Sequence, residues 1–165
     1  MSHLKEISVL ILCGGKGTRL GTIGEKNPKT LMTINKKPII SYIIDNLINN
    51  GCKSINISGY HNYKKLNSYI RKLYSENIRC RNDGDISILD RIKKYLIENK
   101  KTLLVCYGDE IANIKYSKLL NSHFKSKKIL SVTTMKYKSN FGIFTKNNKK
   151  LIFNEKPYLG NYNIG

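Results

Sequence analysis

A glycine-rich segment near the start of the chain has the composition of a phosphate-binding loop. It directly follows an apolar run and reads Leu12-Cys13-Gly14-Gly15-Lys16-Gly17-Thr18-Arg19-Leu20. Glycine lets the backbone approach a ligand closely, so that successive N–H groups can surround phosphate oxygens. The segment lacks the Gly-Lys-Ser/Thr ending of a Walker loop and does not fit the dinucleotide pattern GxGxxG. Because Arg19 and Lys29 add two cations, we predict that it binds a nucleoside triphosphate; a purely structural turn is the alternative.

An acidic residue stands at the end of a second apolar run. The run Thr102–Tyr107 stops at Gly108-Asp109-Glu110, as expected of a central strand that brings an acid to its carboxyl end. Asp109 could also be an ordinary turn residue. We expect no zinc site, because no ligand spacing with a cysteine or carboxylate is present at His3, His61 or His123.

Hydrophobic periodicity divides the chain into strands and helices that would position these residues. Short β-branched or alternating runs predict strands at 7–12, 53–58, 102–107, 129–135, 141–145 and 151–154. Apolar residues at helical spacing predict helices at 38–51, 63–74, 86–98 and 116–124. The first of these helices has Pro in its first turn and Gly past its end, the expected punctuation. A turn is predicted from Lys146 to Lys149.

The order of these elements indicates the fold class. Strands and helices alternate through the first two-thirds of the chain, and only strands follow. This order predicts an α/β, Rossmann-like fold: a mostly parallel sheet with helices on both faces and antiparallel additions near the C-terminus. Because no repeat, low-complexity tract or linker interrupts the chain, we expect a single domain over residues 1–165.

The net charge of +19 first suggests a nucleic-acid partner. Of the 30 basic residues, 25 are Lys and 5 are Arg, and they are scattered through every segment. No aromatic residues interleave with them, as a base-stacking surface would require. We therefore expect no nucleic acid among the partners.

Apolar content and cysteines indicate the compartment. No apolar run approaches the ~20 residues that a membrane span needs, and the N-terminus lacks the features of a secretory signal. We expect a cytoplasmic protein with no membrane partner. No CxxC pair occurs, and free buried thiols are predicted at Cys13, Cys52, Cys80 and Cys106.

The loop and its flanking segments resemble the nucleotidyltransferase family that activates sugar 1-phosphates. The family pattern LAGGxGTRLxP…PKP corresponds here to residues 12–20 and to Asn27-Pro28-Lys29-Thr30. Later blocks are similar to the glucose-1-phosphate cytidylyltransferase branch and occur in the same order. They are Gly59-Tyr60-His61-Asn62-Tyr63, Gly84-Asp85 before Arg91-Ile92-Lys93-Lys94, Tyr107-Gly108-Asp109, Asn113-Ile114, Phe141-Gly142, Asn154-Glu155-Lys156-Pro157 and Tyr162-Asn163-Ile164-Gly165. The resemblance covers essentially the whole chain.

The resemblance implies a nucleotidyltransferase fold and a set of site residues. A phosphate oxygen of the acceptor would attack the α-phosphorus of CTP, or of another nucleoside triphosphate, and release pyrophosphate. Arg19 and Lys29 would be the catalytic cations, and Asp109 would hold Mg²⁺ as the cofactor. The nucleotide would be bound by Leu12, Cys13, Gly14, Gly15, Gly17, Thr18, Arg19, Lys29, Gly84, Asp85 and Ser87. The acceptor would be bound by Tyr60, Glu155, Lys156 and Asn163, although Glu155 and Lys156 could also be an ordinary surface pair.

Departures from the family pattern leave the acceptor open. Cys13 replaces the usual Ala, Thr30 replaces the second Pro of the PKP block, and the region 67–83 is shorter than in the glucose enzyme. The acceptor is therefore expected to be a sugar 1-phosphate or another phosphate monoester, such as phosphocholine or a phospho-amino acid. The family also supplies a second metal-binding Asp from a segment past residue 165, so we expect the chain to be truncated at its C-terminus.

Alternatives to a cytidylyltransferase remain at this stage. One is a guanylyl- or uridylyltransferase of the same fold, and another is a non-catalytic nucleotide-binding module. Homo-oligomer formation is left open by the sequence. By family inference, the product would serve capsule or surface polysaccharide synthesis.

Overall fold

The computed structural model describes residues 7–74 and 77–163. His3, at which no zinc-ligand spacing is present, and Ile164-Gly165, the end of the last block of resemblance, lie outside the described residues. The chain divides into two compact units, one ending at Lys128 and the other beginning at Ile129. The single domain expected over residues 1–165 stays a prediction.

The first unit alternates strands and helices along the chain. Its strands are β1 (Ser8–Cys13), β2 (Thr33–Ile34), β3 (Lys37–Pro38), β4 (Ile55–Gly59), β5 (Ile78–Asn82) and β6 (Leu103–Tyr107). Its helices are α1 (Thr22–Lys26), α2 (Ile39–Asn49), α3 (Tyr63–Leu73), α4 (Ile88–Asn99) and α5 (Tyr116–Ser126). Two single-turn 3₁₀ helices, Thr18–Leu20 and Lys29–Leu31, follow the glycine-rich loop.

Four parallel strands form the central sheet in the order β5-β4-β1-β6. Successive side chains of a strand point to opposite faces, and β1 is buried on both. Val9 and Ile11 pack in a large cluster with residues of α2, α3 and α5, whereas Leu10 packs in a smaller cluster with Tyr95 of α4. The predicted α/β fold, with a parallel sheet flanked by helices on both faces, is confirmed.

Helix α2 illustrates how the sequence produces this packing. Its apolar residues recur at helical spacing, and Ile40, Ile44 and Leu47 are completely buried. Pro38 caps the helix at its N-terminus, where its missing N–H is not needed. Gly51 follows the helix with a φ of 89°, a left-handed conformation that glycine adopts without strain. The helix predicted at 38–51 is therefore confirmed, with slightly shorter bounds.

The structure adds one strand to the sheet that the sequence pattern did not predict. In β5, Ile78 and Cys80 alternate with Arg79 and Arg81, and this charge masks the apolar pattern. Pairing with β4 nevertheless places the strand in the sheet, with Ile78 opposite Ile55. Tertiary pairing overrides the weak local signal here.

The second unit consists of two antiparallel strand pairs. Its strands are β7 (Thr134–Lys138), β8 (Ile143–Asn147), β9 (Lys150–Asn154) and β10 (Tyr158–Asn163). β7 pairs with β10, and β8 pairs with β9. Asn148 and Lys149 have positive φ values of 42° and 69°, which confirms the tight turn predicted there. The expected antiparallel additions are therefore present.

Two details of the second unit differ from the prediction. The strand predicted at 129–135 is wrong for its first five residues, because β7 begins only at Thr134. The physical reason is pairing, since Thr134 stands opposite Asn163 at the end of the ladder with β10. β10 itself was not predicted, because Gly160 and Asn161 interrupt its apolar pattern and its register shifts near Gly160.

Three of the four cysteines, Cys13, Cys80 and Cys106, lie in strands of the first unit, and Cys52 lies between α2 and β4. Cys13 and Cys52 are buried free thiols, whereas Cys80 and Cys106 are free but only partly buried.

Within residues 7–74 and 77–163, no helix has the length and apolar character needed to cross a membrane.

Candidate functional site

A cavity of about 260 Å³ opens in the first unit where β1 and β6 end. It is lined by Leu12, Cys13, Gly14, Gly15, Lys29, Thr30, Asp85, Ile86, Ile88, Arg91, Tyr107 and Asp109. Parallel strands bring their carboxyl ends to one edge of a sheet, which is where α/β folds bind ligands. Seven of the lining residues are ones that the sequence singled out: Leu12, Cys13, Gly14, Gly15, Lys29, Asp85 and Asp109.

The glycine-rich loop turns back tightly after β1. Gly17 has a φ of 65°, in the left-handed region, and caps the 3₁₀ helix Thr18–Leu20. Gly24 in α1 packs so closely on the loop that a β-carbon there would overlap the carbonyl oxygen of Gly17. Gly15, by contrast, has open space on its side-chain position. Glycine at position 24 therefore allows α1 to pack closely on the loop, whereas glycine at position 15 leaves the loop backbone open.

Lys29 and Asp109 meet across the cavity. The Lys29 ammonium forms an ion pair with the Asp109 carboxylate, and both side chains remain partly exposed. Lys29 begins the 3₁₀ helix that Pro28 caps, and Asp109 lies two residues past β6. The two residues are far apart in sequence, and only the strand order brings them together.

Gly108 explains how Asp109 is held at this edge. The Gly108 N–H donates to the Leu12 carbonyl at 2.9 Å and so extends the β1–β6 ladder by one residue. A β-carbon at Gly108 would overlap the Cys13 sulfur and crowd the Thr30 side chain at 2.9 Å. Burial and the neighbouring Asp109 charge raise the pKa of Glu110 above its usual range. Negative charge is thus concentrated at the end of β6.

A second ion pair lies at the other side of the cavity. Lys16 of the loop donates to Asp85 at 3.0 Å, and both side chains are more than half exposed. The Lys16 ammonium also lies 5.9 Å from the centre of the Tyr60 ring. The hydrogen bond to Asp85 raises the pKa of Lys16. Tyr60, predicted to bind the acceptor, contacts the loop in this way without lining the cavity.

Several predicted nucleotide-binding residues have structural positions beside the cavity. Thr18 and Arg19 lie on the exposed 3₁₀ turn that follows Gly17. Ser87 caps α4: its hydroxyl accepts from the Asp90 N–H at 3.1 Å and donates to the Asp90 carboxylate at 2.7 Å. Gly84 has a φ of 78°, and its carbonyl accepts from Arg91 at 2.5 Å. None of these residues, nor Gly17, is among those that line the cavity.

Five lining residues were not predicted as site residues: Thr30, Ile86, Ile88, Arg91 and Tyr107. The Thr30 hydroxyl is buried and makes no hydrogen bond within the described residues. Buried polar groups normally have partners, so an unpaired hydroxyl at the cavity is unusual. The signal at Thr30 was its departure from the family's PKP pattern. Arg91 had a signal as well, because it is a charged residue on the apolar stripe of α4 with Ile88 and Tyr95.

The predicted acceptor residues Glu155, Lys156 and Asn163 belong to the second unit. Lys156 follows β9 with a positive φ of 44°, in the connection that leads to β10. The Glu155 carboxylate lies beside Gly142, where an added β-carbon would be 3.2 Å from it. Asn163 ends β10 opposite Thr134. These residues stand at the ends and turns of exposed strands.

Comparison with known proteins agrees with this fold. Residues 8–163 match the family described as Nucleotidyl transferase. The glucose-1-phosphate adenylyltransferase of Thermosipho africanus is 26% identical over 93% of this chain and 44% of the relative. The D-glycero-alpha-D-manno-heptose 1-phosphate guanylyltransferase of Campylobacter jejuni is 29% identical over 92% of this chain and 70% of the relative.

A solved structure supports the architecture. HddC from Yersinia pseudotuberculosis, complexed with GMP-PN, superposes with a TM-score of 0.72 at 21% identity and covers 95% of this chain and 72% of its own. At this identity the likeness concerns the fold. The chain spans less than half the length of adenylyltransferases that it matches, 44% in Thermosipho africanus and 47% in Clostridium novyi. The match over nearly all of its residues shows that the chain belongs to the nucleotidyl transferase family.

Proposed function

We propose that the chain is the nucleotide-binding part of an enzyme that transfers a nucleotidyl group to a sugar 1-phosphate and releases pyrophosphate. One observation carries the proposal: a single cavity is lined by the glycine loop, Lys29 and Asp109. Similar proteins named as adenylyl- and guanylyltransferases of sugar 1-phosphates support the reaction class.

The reaction is an in-line displacement at phosphorus. A phosphate oxygen of the acceptor forms a bond to the α-phosphorus, and the bond from that phosphorus to the pyrophosphate oxygen breaks with its electron pair. No general base is required, because a phosphate monoester is already ionised near neutral pH. Positioning and charge neutralisation therefore supply most of the catalysis. We assign these tasks to the loop N–H groups, to Lys29 and to Arg19 on the adjoining exposed turn.

The residues at the end of β6 fit a Mg²⁺ ion. Within the described parts of the chain, no cluster of three or more His, Cys, Asp or Glu side chains is present. Mg²⁺ commonly binds one or two carboxylates together with substrate phosphates, and Asp109 presents one carboxylate in the cavity. When bound, the ion supplies further neutralisation of phosphate charge. Asp109 would hold it, and Lys29 would then be released toward the phosphates.

CTP is the nucleotide that we propose. The ordered blocks shared with cytidylyltransferases support it, as does the position of Asp85 at the cavity. A carboxylate accepts a hydrogen bond from the exocyclic amino group of cytosine, a donor that uracil and thymine lack. GTP is the second candidate, because the Campylobacter jejuni guanylyltransferase is 29% identical, and guanine, like adenine, also carries an exocyclic amino group.

For the acceptor, we propose that Lys156 meets the phosphate and that Glu155 and Asn163 meet its polar groups, with Tyr60 near the loop. Phosphocholine and phospho-amino acids are alternative acceptors. A cytoplasmic location, homo-oligomer formation and a role in capsule or surface polysaccharide synthesis belong to the same proposal.

Pyrophosphate release tests the proposal. The full-length protein is incubated with Mg²⁺, each common nucleoside triphosphate and a panel of sugar 1-phosphates, phosphocholine and phospho-amino acids. We expect release with CTP and one class of sugar 1-phosphate. Faster release with GTP would move the assignment to the second candidate. Triphosphate binding without release in any combination would contradict the enzyme and favour a nucleotide-binding module.

A further inference from the structure

A buried guanidinium lies directly behind the glycine-rich loop. Arg91 of α4 is only 3% exposed. An ideal β-carbon on Gly14 would lie 2.7 Å from the guanidinium carbon, so that the first loop glycine packs on this group. A side chain at Gly14 would require the Arg91 guanidinium to shift. The loop backbone and the Arg91 side chain therefore fix each other's position.

Three acceptors hold the guanidinium in place. Arg91 Nη1 donates to the Ser58 hydroxyl at 2.7 Å and to the Gly59 carbonyl at 3.4 Å. Arg91 Nη2 donates to the Gly84 carbonyl at 2.5 Å. These acceptors come from the end of β4 and from the turn after β5. Because the acceptors lie on different elements, the planar guanidinium has little freedom to rotate.

The Ser58 hydroxyl connects the Arg91 guanidinium to the Asp83 carboxylate, which carries the opposite charge. Ser58 donates to Asp83 Oδ2 at 2.6 Å, and Asp83 Oδ1 accepts from the Lys94 ammonium at 2.7 Å. The Asp83 side chain is fully inaccessible to solvent. Burial alone would raise the pKa of Asp83, but hydrogen bonds from Lys94 and Ser58 outweigh it and lower that pKa. The result is a continuous chain of hydrogen bonds, Lys94–Asp83–Ser58–Arg91, in which Asp83, Ser58 and Arg91 are buried and Lys94 is partly exposed; we name it the loop-support network.

We propose that Asp83 and Ser58 are positioning residues for the nucleotide. Through Arg91 they fix Gly14 and keep a positive charge beneath the loop, so that its N–H groups are set for phosphate before the nucleotide arrives. The proposal rests on the proposed function, because it concerns how that cavity binds a triphosphate. Hydrogen-bond donors that are already fixed in the free protein reduce the entropy lost on binding. In this proposal, the loop-support network fixes the loop N–H groups in that way.

A network that only stabilised the fold would behave differently. Removing one member would then lower the melting temperature while leaving the affinity of the remaining folded protein unchanged. A positioning network predicts in addition a looser loop in the free protein and weaker triphosphate binding. Backbone hydrogen exchange in the loop and a titration with CTP and Mg²⁺ measure these two effects separately.

The chain offers a matched control for Asp83. Asp45 accepts from the Tyr74 hydroxyl at 3.0 Å and pairs with Lys37 at 2.6 Å, so it also has one hydroxyl and one ammonium partner. Asp45 does not line the cavity. Asp83→Asn and Asp45→Asn therefore make the same chemical change in two networks, of which only one reaches the loop.

We expect Asp83→Asn in the full-length protein to accelerate hydrogen exchange over residues 13–17 without nucleotide and to weaken CTP binding about tenfold, equivalent to about 1.4 kcal/mol. Ser58→Ala should shift both readouts in the same direction. In steady state, KM for CTP should rise more than kcat falls. Asp45→Asn should leave loop exchange and CTP affinity within about twofold of wild type.

Ser58→Ala removes a single hydroxyl, so it keeps the test decisive if Asp83→Asn does not fold. Unchanged loop exchange and unchanged affinity in a folded Asp83 or Ser58 variant would overturn the proposal. A wild-type protein that binds CTP but releases no pyrophosphate with any acceptor would contradict the proposed function alone. Loop exchange in the nucleotide-free variants is informative in either case.

Discussion

The two units of the chain bury their apolar residues very differently. In the first unit, β1 and β4 are buried along their whole length, and residues such as Ile11 and Ile57 have no exposed surface. In the second unit, three of the four strands are exposed throughout, and Ser139 is the one buried residue among those described. Phe144 and Leu151 are 66% and 72% exposed there. A parallel sheet covered on both faces makes its own core, whereas isolated strand pairs do not.

The contrast extends to the candidate site. In the first unit, the residues predicted to bind the nucleotide lie on loops that follow strands of the central sheet, and Lys29 and Asp109 meet in a defined cavity. In the second unit, Lys156 and Glu155 lie in an exposed connection between strands. Rigid scaffolds hold functional groups in place better than exposed segments do. We therefore expect changes in the first unit to affect turnover and stability most.

Loss of Lys29 from the cavity should have the largest effect. Lys29→Ala removes a preorganised charge from the phosphates, and we expect kcat to fall about 10²–10³-fold. Pyrophosphate release with CTP and the preferred acceptor measures it. The comparison variant is Lys156→Ala in the second unit, which should raise KM for the acceptor and leave CTP affinity unchanged. Equal loss of CTP affinity in both variants would contradict this division of tasks.

Truncation of a leucine to alanine should change the free energy of unfolding by different amounts in the two units. Leu47→Ala in α2 removes a completely buried side chain and should cost about 2–5 kcal/mol in the free energy of unfolding. Leu151→Ala in β9 removes an exposed side chain of the same type and should change it by less than about 0.5 kcal/mol. Urea denaturation followed by circular dichroism compares them. A large cost at Leu151 would show that the second unit's apolar side chains are covered in solution.

The buried carboxylate of the loop-support network predicts a pH dependence. The pKa of Asp83 lies below its ordinary value of 3.8, so its contribution to stability is present above that pH and is lost as the pH falls through the lower folded-state value. At neutral pH, Asp83→Asn should lower the free energy of unfolding by about 1–3 kcal/mol. The difference between variant and wild type should shrink below pH 3.8. A difference that stays constant from neutral to acid pH would contradict the assigned ionisation.

Thiol labelling should give the smallest effect and reports on the first unit alone, because all four cysteines lie there. Burial raises the pKa of Cys52 to about 11 and the pKa of Cys80 and Cys106 to about 12, and it raises the pKa of Cys13 further. Since the thiolate is the reactive form, we expect slow labelling by a disulfide reagent at pH 8 and rapid labelling of all four thiols in urea. Rapid labelling of the native protein would show that the first unit opens readily.

The sequence predicted the parts of the site whose positions depend on local pattern. An apolar run followed by glycines, or by Gly108-Asp109, marks the end of a buried strand, and parallel strands share that edge. That Lys29 and Asp109 belong to one site was implied only by family resemblance, and their ion pair was not predicted, because strand order is a property of the whole sheet. Arg91 could be seen as an unusual residue on an apolar stripe, but its contact with Gly14 requires the packing of α4 on the sheet.

The second unit was the least predictable for a related reason. Its strands are short and exposed, so their apolar pattern is not enforced by burial, and the pairing of β7 with β10 sets the strand bounds. The same holds for β5, where Arg79 and Arg81 are tolerated because only alternate side chains face the core. The apolar pattern of a sequence predicts a strand well where one face of the strand must be buried. It predicts a strand poorly where only pairing with a neighbouring strand defines it.

The ion pair between Lys29 and Asp109 has a consequence for competition at the cavity. Without a ligand, the Lys29 ammonium is paired with the Asp109 carboxylate. An anion that binds alone must therefore compete with Asp109 for the ammonium, and a divalent cation that binds alone must compete with Lys29 for the carboxylate. Either one must separate the pair and leave one half without compensation. On the proposed function, a triphosphate that arrives with Mg²⁺ would replace both halves at once. We therefore expect inorganic phosphate alone and Mg²⁺ alone to bind at this cavity more weakly than the two together with a nucleotide.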